Sequence, residues 1–433
     1  MPKTDPLDNY YELGWYYTTE DPRMEQAVTK LMVLLGAAKS TGKIDLGSTR
    51  QTDIRNQVFV LLVNLIRVYR VSPAKYLGYF RDNKAYAGRP YENPLRVAHS
   101  ITLVIDSLGK LGLLEVHKGW QGFRRSRISR VRAEEAFAKE YLDALLDIDF
   151  FLHNDAPALV LRGVKENQKK GKELPIQGSA TTEAMARLVR RYRRFLRDQK
   201  ISVPSEVFEN LSLGLPDDVH IRRIFNNGLM TNGGRFYGAW WQHLKSEDRS
   251  LITINGKPTI ELDYQGQTIC HLYAREGLNY PNDIGGDPYE LAGVPRKLTK
   301  QICVVILNTK TDKGTWKSVK EHFERDESPD LDIVKFTDKW DSFRSVLELF
   351  RKKHQKIAKY FHTMVALGIQ FEDSEICAAV IEKLIDERIP VLTIHDSFIV
   401  EVEKETELRK AMSQAYLLRT DNLRFGLPKI EEK

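Results

Sequence analysis

Two aspartates and two basic residues in this 433-residue chain stand where they could do phosphoryl chemistry together. Asp263 ends the short segment Thr259-Ile260-Glu261-Leu262, which reads as a strand that runs on into a helix from about Gln267. An acidic residue at the tip of a buried strand is costly unless it meets a cation or hydrogen-bond donors. Asp396 lies in IPVLTIHDSFIVEVE, in a tight turn between two apolar strands, Val391 to Ile394 and Phe398 to Val402. Two carboxylates on adjacent strand ends suit a two-metal site. One ion there activates an attacking hydroxyl and the other steadies a triphosphate, with the ions about 3.5 to 4 Å apart. Between the aspartates, RKLTKQICVVILNTK puts Arg296 and Lys300 one helical turn apart, able to grip a triphosphate and protonate departing pyrophosphate. Taken singly, either Asp is a turn or cap residue and the basic pair is the solvated start of a core helix.

The elements that must position these groups follow from periodicity. A helix fits near Met24 to Gly36. Apolar residues from Ile54 to Tyr69 recur at helical spacing, and a further helix fits Pro94 to Leu111. LLEVHK then reads as a strand, GWQG as a turn and Phe123 to Val131 as a returning basic strand. Helix, Gly, strand, turn and basic strand is the order of a winged-helix module, whose wing arginines (Arg124, Arg125, Arg127, with Arg130 and Arg132) would touch phosphates. A solvated hairpin face is the plain alternative. Glu134 to Phe151 reads as strongly helical, and residues 166 to 183 as an exposed loop. The helix after that loop carries Arg187, Arg190, Arg191, Arg193, Arg194 and Arg197, spread too widely for one salt-bridged face and suited to a phosphate backbone.

Composition bounds the class. With 42% hydrophobic and 29% charged residues, the chain has globular composition and length for two or three domains. Its +7 formal charge favours a polyanionic partner without requiring one. Cys270, Cys303 and Cys377 have no zinc-like spacing and read as buried thiols in a reducing cytosol. Neither a signal peptide nor an apolar run of membrane-spanning length is visible, which points to a soluble, cytoplasmic protein.

Together the segments resemble the single-subunit RNA polymerases of phages and mitochondria and, more distantly, the family A DNA polymerases. LDYQGQT looks like motif A with its Asp at Asp263, RKLTK like the start of motif B, and HDSF like motif C with His395 and Asp396. TNGGRFYGAWW resembles the segment those RNA polymerases carry before motif A, and His271 fits their form of motif A. The resemblance covers about residues 222 to 410. It implies two Mg²⁺ ions, with Mn²⁺ as a substitute, held by Asp263 and Asp396 with Tyr264. Lys300, Arg296, Tyr264, Thr268 and Asn308 would meet the nucleotide, and Arg235, Tyr237 and His395 the template and primer strands. Arg190 and Arg194 would add backbone contacts.

The sequence also departs from these families. Family A DNA polymerases carry a Glu where this chain has Thr268, so ribonucleotides should be excluded less strongly. Asn308 replaces the motif B Tyr that helps choose the sugar. The stretch from Asp263 to Asp396 is too short for elaborated fingers, and nothing resembles a 3′-5′ exonuclease domain.

The expected architecture is α+β, a right-hand polymerase fold. It comprises a winged-helix-like nucleic-acid-binding domain (1–133), a helical thumb-like region (134–220) and an antiparallel palm with short helical fingers (221–433). The expected activity is template-directed nucleotidyl transfer on a DNA template or primer-template from nucleoside triphosphates, with replication, plasmid or phage function and defence all open as its setting. Thr268, His271 and HDSF favour RNA or primer synthesis, and Asn308 opposes it. The alternatives are a family A-type DNA polymerase and a DNA-binding replication initiator with a degenerate palm. An HD-type phosphohydrolase would need further His and Asp ligands, for which His354 and His362, read as residues of a polar helix, are poor candidates. A two-metal nuclease would leave Arg296 and Lys300 unexplained.

Overall fold

The computed structural model describes residue 7 and residues 9–87, 93–121, 126–165, 171–209, 219–278, 280, 286–325, 330–419 and 427–433. It is an α+β protein that divides into two compact units. The units do not follow the chain in three consecutive blocks. The first comprises residues 1–158, 196–221 and 238–253, and the second residues 159–195, 222–237 and 254–433.

In the first unit, strand β1 (Tyr10–Glu12) and helices α1 (Pro22–Ser40) and α2 (Gln51–Val71) precede β2 (Tyr76–Tyr79), a one-turn α3 (Lys84–Ala87) and α4 (Ile101–Lys110). Strands β3 (Leu114–His117) and β4 (Ser129–Ala133) follow, and the sheet order is β1-β2-β4-β3. Helix α1 starts at Asp21, whose side chain accepts from the Arg23 amide with Pro22 at the first helical position, a strong start signal. Val58, Leu61, Leu62, Leu65 and Ile66 of α2 are buried with Ile101, Val104, Ile105 and Leu108 of α4 in one core.

Three expectations for this half change. Helix α4 begins at Ile101, because residues 93–100 are spent on turns in which Asn93 bonds Val97 through both its amide and its carbonyl. Residues 134–151 do not form one helix. They break into short turns of different pitch, since burying Phe137, Leu142, Leu145 and Ile148 in the core outweighs helical propensity. The wing arginines divide. Arg124 and Arg125 lie outside the described residues, and Arg127 is half-buried in a two-residue ladder, Trp120–Gln121 with Ser126–Arg127. Arg130 is buried, donates to the Leu7 carbonyl and stacks on Tyr10, while Arg132 pairs with Glu115.

The second unit contains two sheets. β5 (Leu159–Arg162) pairs with β6 (Glu173–Leu174) and runs parallel to β7 (Val219–Asn226), which neighbours β8 (Leu229–Ala239). Helix α5 (Ala180–Arg197) lies between them in sequence. It is the long helix among the described residues of 134–220, and its Tyr192 hydroxyl donates to the Val391 carbonyl at 2.6 Å. Asn227 and Gly228, both at positive φ, make the turn from β7 to β8. In β8, Gly234 (φ +78) could not be another residue without displacement. A Cβ there would sit 2.7 Å from Ser374 Oγ and 2.8 Å from the Phe225 ring.

The second sheet carries the aspartates. β9 (Lys257–Tyr264) leads through Gly266, at φ +66, into α6 (Gln267–Arg275). Helices α7 (Arg296–Ile306), α8 (Asp312–Phe323), α9 (Leu331–Thr337) and α10 (Trp340–Lys353) share a core with α6 built on Ile269, Leu272, Leu298, Ile302 and Phe350. Helix α11 (Ala366–Asp386) leads to β10 (Leu392–Ile394) and β11 (Ser397–Glu401). α12 (Glu405–Arg419) and a closing strand β12 (Ile430–Glu432) follow. Within a larger, six-stranded sheet, β12, β9, β11 and β10 are neighbours in that order, antiparallel at each pairing.

Candidate active site

Alternation along β9 sets the direction of its side chains. Ile260, Leu262 and Tyr264 enter the core, so Glu261 and Asp263 share the other face. The register places Asp263 opposite Ser397 of β11, and Ile394 of β10 also faces Ser397. His395 and Asp396 are therefore the two-residue turn at the same end of the sheet. His395 sits at φ +60, a left-handed conformation that costs a non-glycine residue about 1–3 kcal/mol and gathers at functional positions.

Electrostatics tie these groups together. Burial and, next, the Asp396 charge push the Asp263 carboxyl above its ordinary range, while Lys433 and Lys300 pull it back. Lys433 Nζ lies 3.1 Å from Asp263 Oδ2, whereas Asp263 Oδ1 is buried with no hydrogen-bond partner. An orphaned buried carboxylate oxygen is a position a cation would satisfy. Among the described residues no cluster of three or more His, Cys, Asp or Glu is arranged for a metal. Asp263 and Asp396 alone nonetheless fit Mg²⁺, which is commonly held by one or two carboxylates, with water and substrate phosphates completing its shell.

Arg296, Lys300 and Val304 form an exposed stripe along α7, continued past the helix end by Asn308, with Lys297 exposed beside it. Lys300 has no ion-pair partner among the described residues, and its charge acts on Asp263. Arg296 is held by Asp287 and lies over the Tyr289 ring. Asn308 donates to the Val304 carbonyl at 2.9 Å, and Thr268 is half-buried in the first turn of α6. The Tyr264 side chain faces elsewhere. Its hydroxyl donates to the Met412 carbonyl at 2.7 Å in the core, which leaves only its main chain for a metal or nucleotide.

On β8, Arg235 and Tyr237 share a face. The Tyr237 ring meets His395 edge-on at 5.1 Å, and Arg235 Nη2 donates to Asp373 Oδ2 at 3.3 Å. Burial, and then the Arg235 charge, hold His395 below the usual histidine range despite Asp396. His271 bonds Glu372, which also takes Arg275. His354 is fully buried between Tyr273 and the Pro288 carbonyl, and burial brings it down to about 4. His362 bonds Asp312 from a left-handed turn, so neither histidine sits on a polar helix face. On α5 the arginines are less scattered than expected. Arg187, Arg190, Arg191 and Arg194, at i, i+3, i+4 and i+7, are exposed on one face, with Arg190 on Glu183 and Arg191 on Asp386.

The sequence reading missed Asp373. This α11 residue is buried, its Oδ1 has no hydrogen-bond partner, and its carboxyl is pushed up to about 6, by burial first and against the pull of Arg235 and His271. Its pKa is raised in the folded chain, so the native state binds this proton more tightly than the unfolded state does. Stability should therefore fall as pH rises from about 4 through 6, and the cost persists above that window. Asp373→Asn removes the effect. From pH 4 to pH 7 the variant should gain on the order of 2–3 kcal/mol relative to wild type in urea titrations, and a constant difference across that range would show that Asp373 does not carry the shift.

No protein-family profile matches the chain, and no curated protein sequence matches it. Among solved structures, the POL domain of Pol1 from M. smegmatis, in complex with DNA primer-template and dNTP, aligns at 14% identity with a TM-score of 0.29. The alignment covers 57% of this chain and 51% of that one, about half its length. No helix among the described residues is long and apolar enough to cross a membrane.

Proposed function

We propose that the second unit is a template-directed nucleotidyltransferase of right-hand type, with the sheet of Asp263 and Asp396 as palm and α7–α10 as fingers. One observation carries this reading. Asp263 presents a buried, unpartnered carboxylate oxygen beside the His395-Asp396 turn, and the Lys300 charge acts on the same carboxylate. The order of motifs A, B and C in the sequence supports it.

In this reading Asp263 and Asp396 hold two Mg²⁺ ions, which when bound supply charge to activate the 3′-hydroxyl and steady the triphosphate. Lys300 and Arg296 receive the triphosphate, and Lys300 protonates departing pyrophosphate. For Arg296 this requires exchanging Asp287 for a phosphate, a change between two anionic partners of similar geometry. Thr268 and Asn308 flank the sugar. Arg235, Tyr237 and His395 line the path of a DNA template or primer-template, and the arginine face of α5 adds phosphate contacts. Synthesis of RNA or primers is favoured because Thr268 puts no carboxylate against a 2′-hydroxyl. The three buried free thiols, each pushed up to about 12 by burial, suit a cytoplasmic setting.

For the first unit, the order α2-β2-α3-α4-β3-β4, with sheet neighbours β2-β4-β3, supports a winged-helix module. Its α4 is a poor groove reader. The positions of α4 not fully buried are Leu103, Asp106, Gly109 and Lys110, and Asp106 is held by Arg81 at 2.7 Å. A largely buried helix whose one accessible base, Lys110, sits at its C-terminal end offers little to a major groove, so nucleic-acid contact in this unit falls to the ladder bearing Arg127.

The deciding experiment follows incorporation of labelled NTPs and dNTPs with Mg²⁺ or Mn²⁺ on single-stranded DNA, with and without primer, against Asp263→Ala. Ribonucleotide products without primer are expected. Primer-dependent dNTP products would move the enzyme to DNA synthesis, and no product above the blank would overturn the polymerase reading.

A further inference from the structure

The last strand is tied to the catalytic sheet by more than its ladder. β12 pairs with β9 in the register Leu262 with Glu432, Asp263 with Glu431 and Tyr264 with Ile430. The Gln265 amide donates to the Lys429 carbonyl at 2.8 Å, the Arg409 guanidinium to the Ile430 carbonyl at 2.8 Å, and the Lys433 amide to the Glu261 carbonyl at 3.0 Å. Residue 433 is thereby fixed beside the face of β9 that carries Glu261 and Asp263. Its ammonium lies 3.1 Å from Asp263 Oδ2 and 3.7 Å from Glu261 Oε1, and Ser397 Oγ donates to that same Glu261 oxygen at 2.7 Å.

The two oxygens of Asp263 are thus unequal: Oδ2 is held by Lys433, and Oδ1 is buried and has no hydrogen-bond partner. We infer that Lys433 is a positioning residue for the metal site, fixing the Asp263 carboxylate by one oxygen so that the other is presented to a divalent cation. The inference rests on the two-metal reading of Asp263 and Asp396. A ligating carboxylate that also accepts a hydrogen bond from an outer residue has its rotamer set before the metal arrives, and loss of such a partner typically costs about 10- to 100-fold in metal affinity. Opposing this, an ammonium near the site repels a cation. Its partial exposure and its second carboxylate, Glu261, weaken that repulsion, whereas the orienting contact is short-range and retains its effect.

The probe is Mn²⁺ alone, titrated into the full chain without nucleotide or template and followed by electron paramagnetic resonance. Lys433→Met should bind Mn²⁺ about tenfold more weakly or worse. Lys433→Arg, which keeps the donor, should restore most of the affinity, and thermal melting in metal-free buffer should show both variants folded. Half-maximal Mg²⁺ for incorporation should rise in Lys433→Met while kcat at saturating Mg²⁺ holds. Equal or tighter Mn²⁺ binding by Lys433→Met would overturn the inference and leave the metal site standing. Mn²⁺ binding that is absent in wild type, or unchanged by Asp263→Asn, would overturn the metal site itself.

Discussion

Asp396→Ala should abolish nucleotide incorporation, lowering the rate by at least about 10³-fold, while affinity for single-stranded DNA stays within a few-fold of wild type. A carboxylate that holds catalytic metal supplies several kcal/mol of transition-state stabilisation, and each 1.36 kcal/mol is a factor of ten in rate. The fold should not suffer. Asp396 lies at a turn, and its charge is one of the causes that push the Asp263 carboxyl up, so its removal relieves repulsion at that buried group. The melting temperature at neutral pH should accordingly be unchanged or higher. Gel-shift, incorporation and melting measurements on the same preparation separate the possibilities. Activity lost together with stability would make Asp396 a structural residue of the turn, and retained activity would remove it from the chemistry.

What the sequence could show here depended on whether the signal was local. Alternation of Ile260, Leu262 and Tyr264 against Glu261 and Asp263 has the period of a half-buried strand, and a two-residue polar turn between apolar runs marks the hairpin at His395 and Asp396. Both features are carried by consecutive residues. The arginine face of α5 was misread: its six arginines suggested a wide scatter, although the spacing of Arg187, Arg190, Arg191 and Arg194 at i, i+3, i+4 and i+7 places those four on one exposed face. Asp373 was not legible. It lies in the acidic run Glu372-Asp373-Ser374-Glu375, which looks like a solvated helix face, and only the packing of α11 with Arg235 of β8, far apart in sequence, buries it. Lys433 was equally hidden, since a single lysine means little until β12 is paired with a strand some 170 residues earlier. The stretch 134–151 misled because its propensity is helical while its apolar residues serve a core that does not follow one helix.

Lys300→Met should lower kcat by about 10² to 10³-fold, the usual cost of removing one preorganised donor at the centre of charge development, with a smaller rise in KM. The split follows from the surroundings of the two basic residues. Lys300 is exposed on the stripe of α7, has no ion-pair partner among the described residues, and lies close enough for its charge to lower the Asp263 pKa, so it is available to the reacting phosphates. Arg296, one turn earlier, is already engaged with Asp287, and its replacement should act chiefly on KM because binding the nucleotide already requires giving up that pair. Lys300→Arg tests the role further. It retains the charge but not an acid that can readily give up its proton, so KM should return towards wild type while most of the kcat defect persists. Recovery of kcat as well would reduce Lys300 to an electrostatic clamp. No effect of either substitution would detach α7 from the chemistry and leave Asp263 and Asp396 to a hydrolytic reaction, for which this helix has no assigned part.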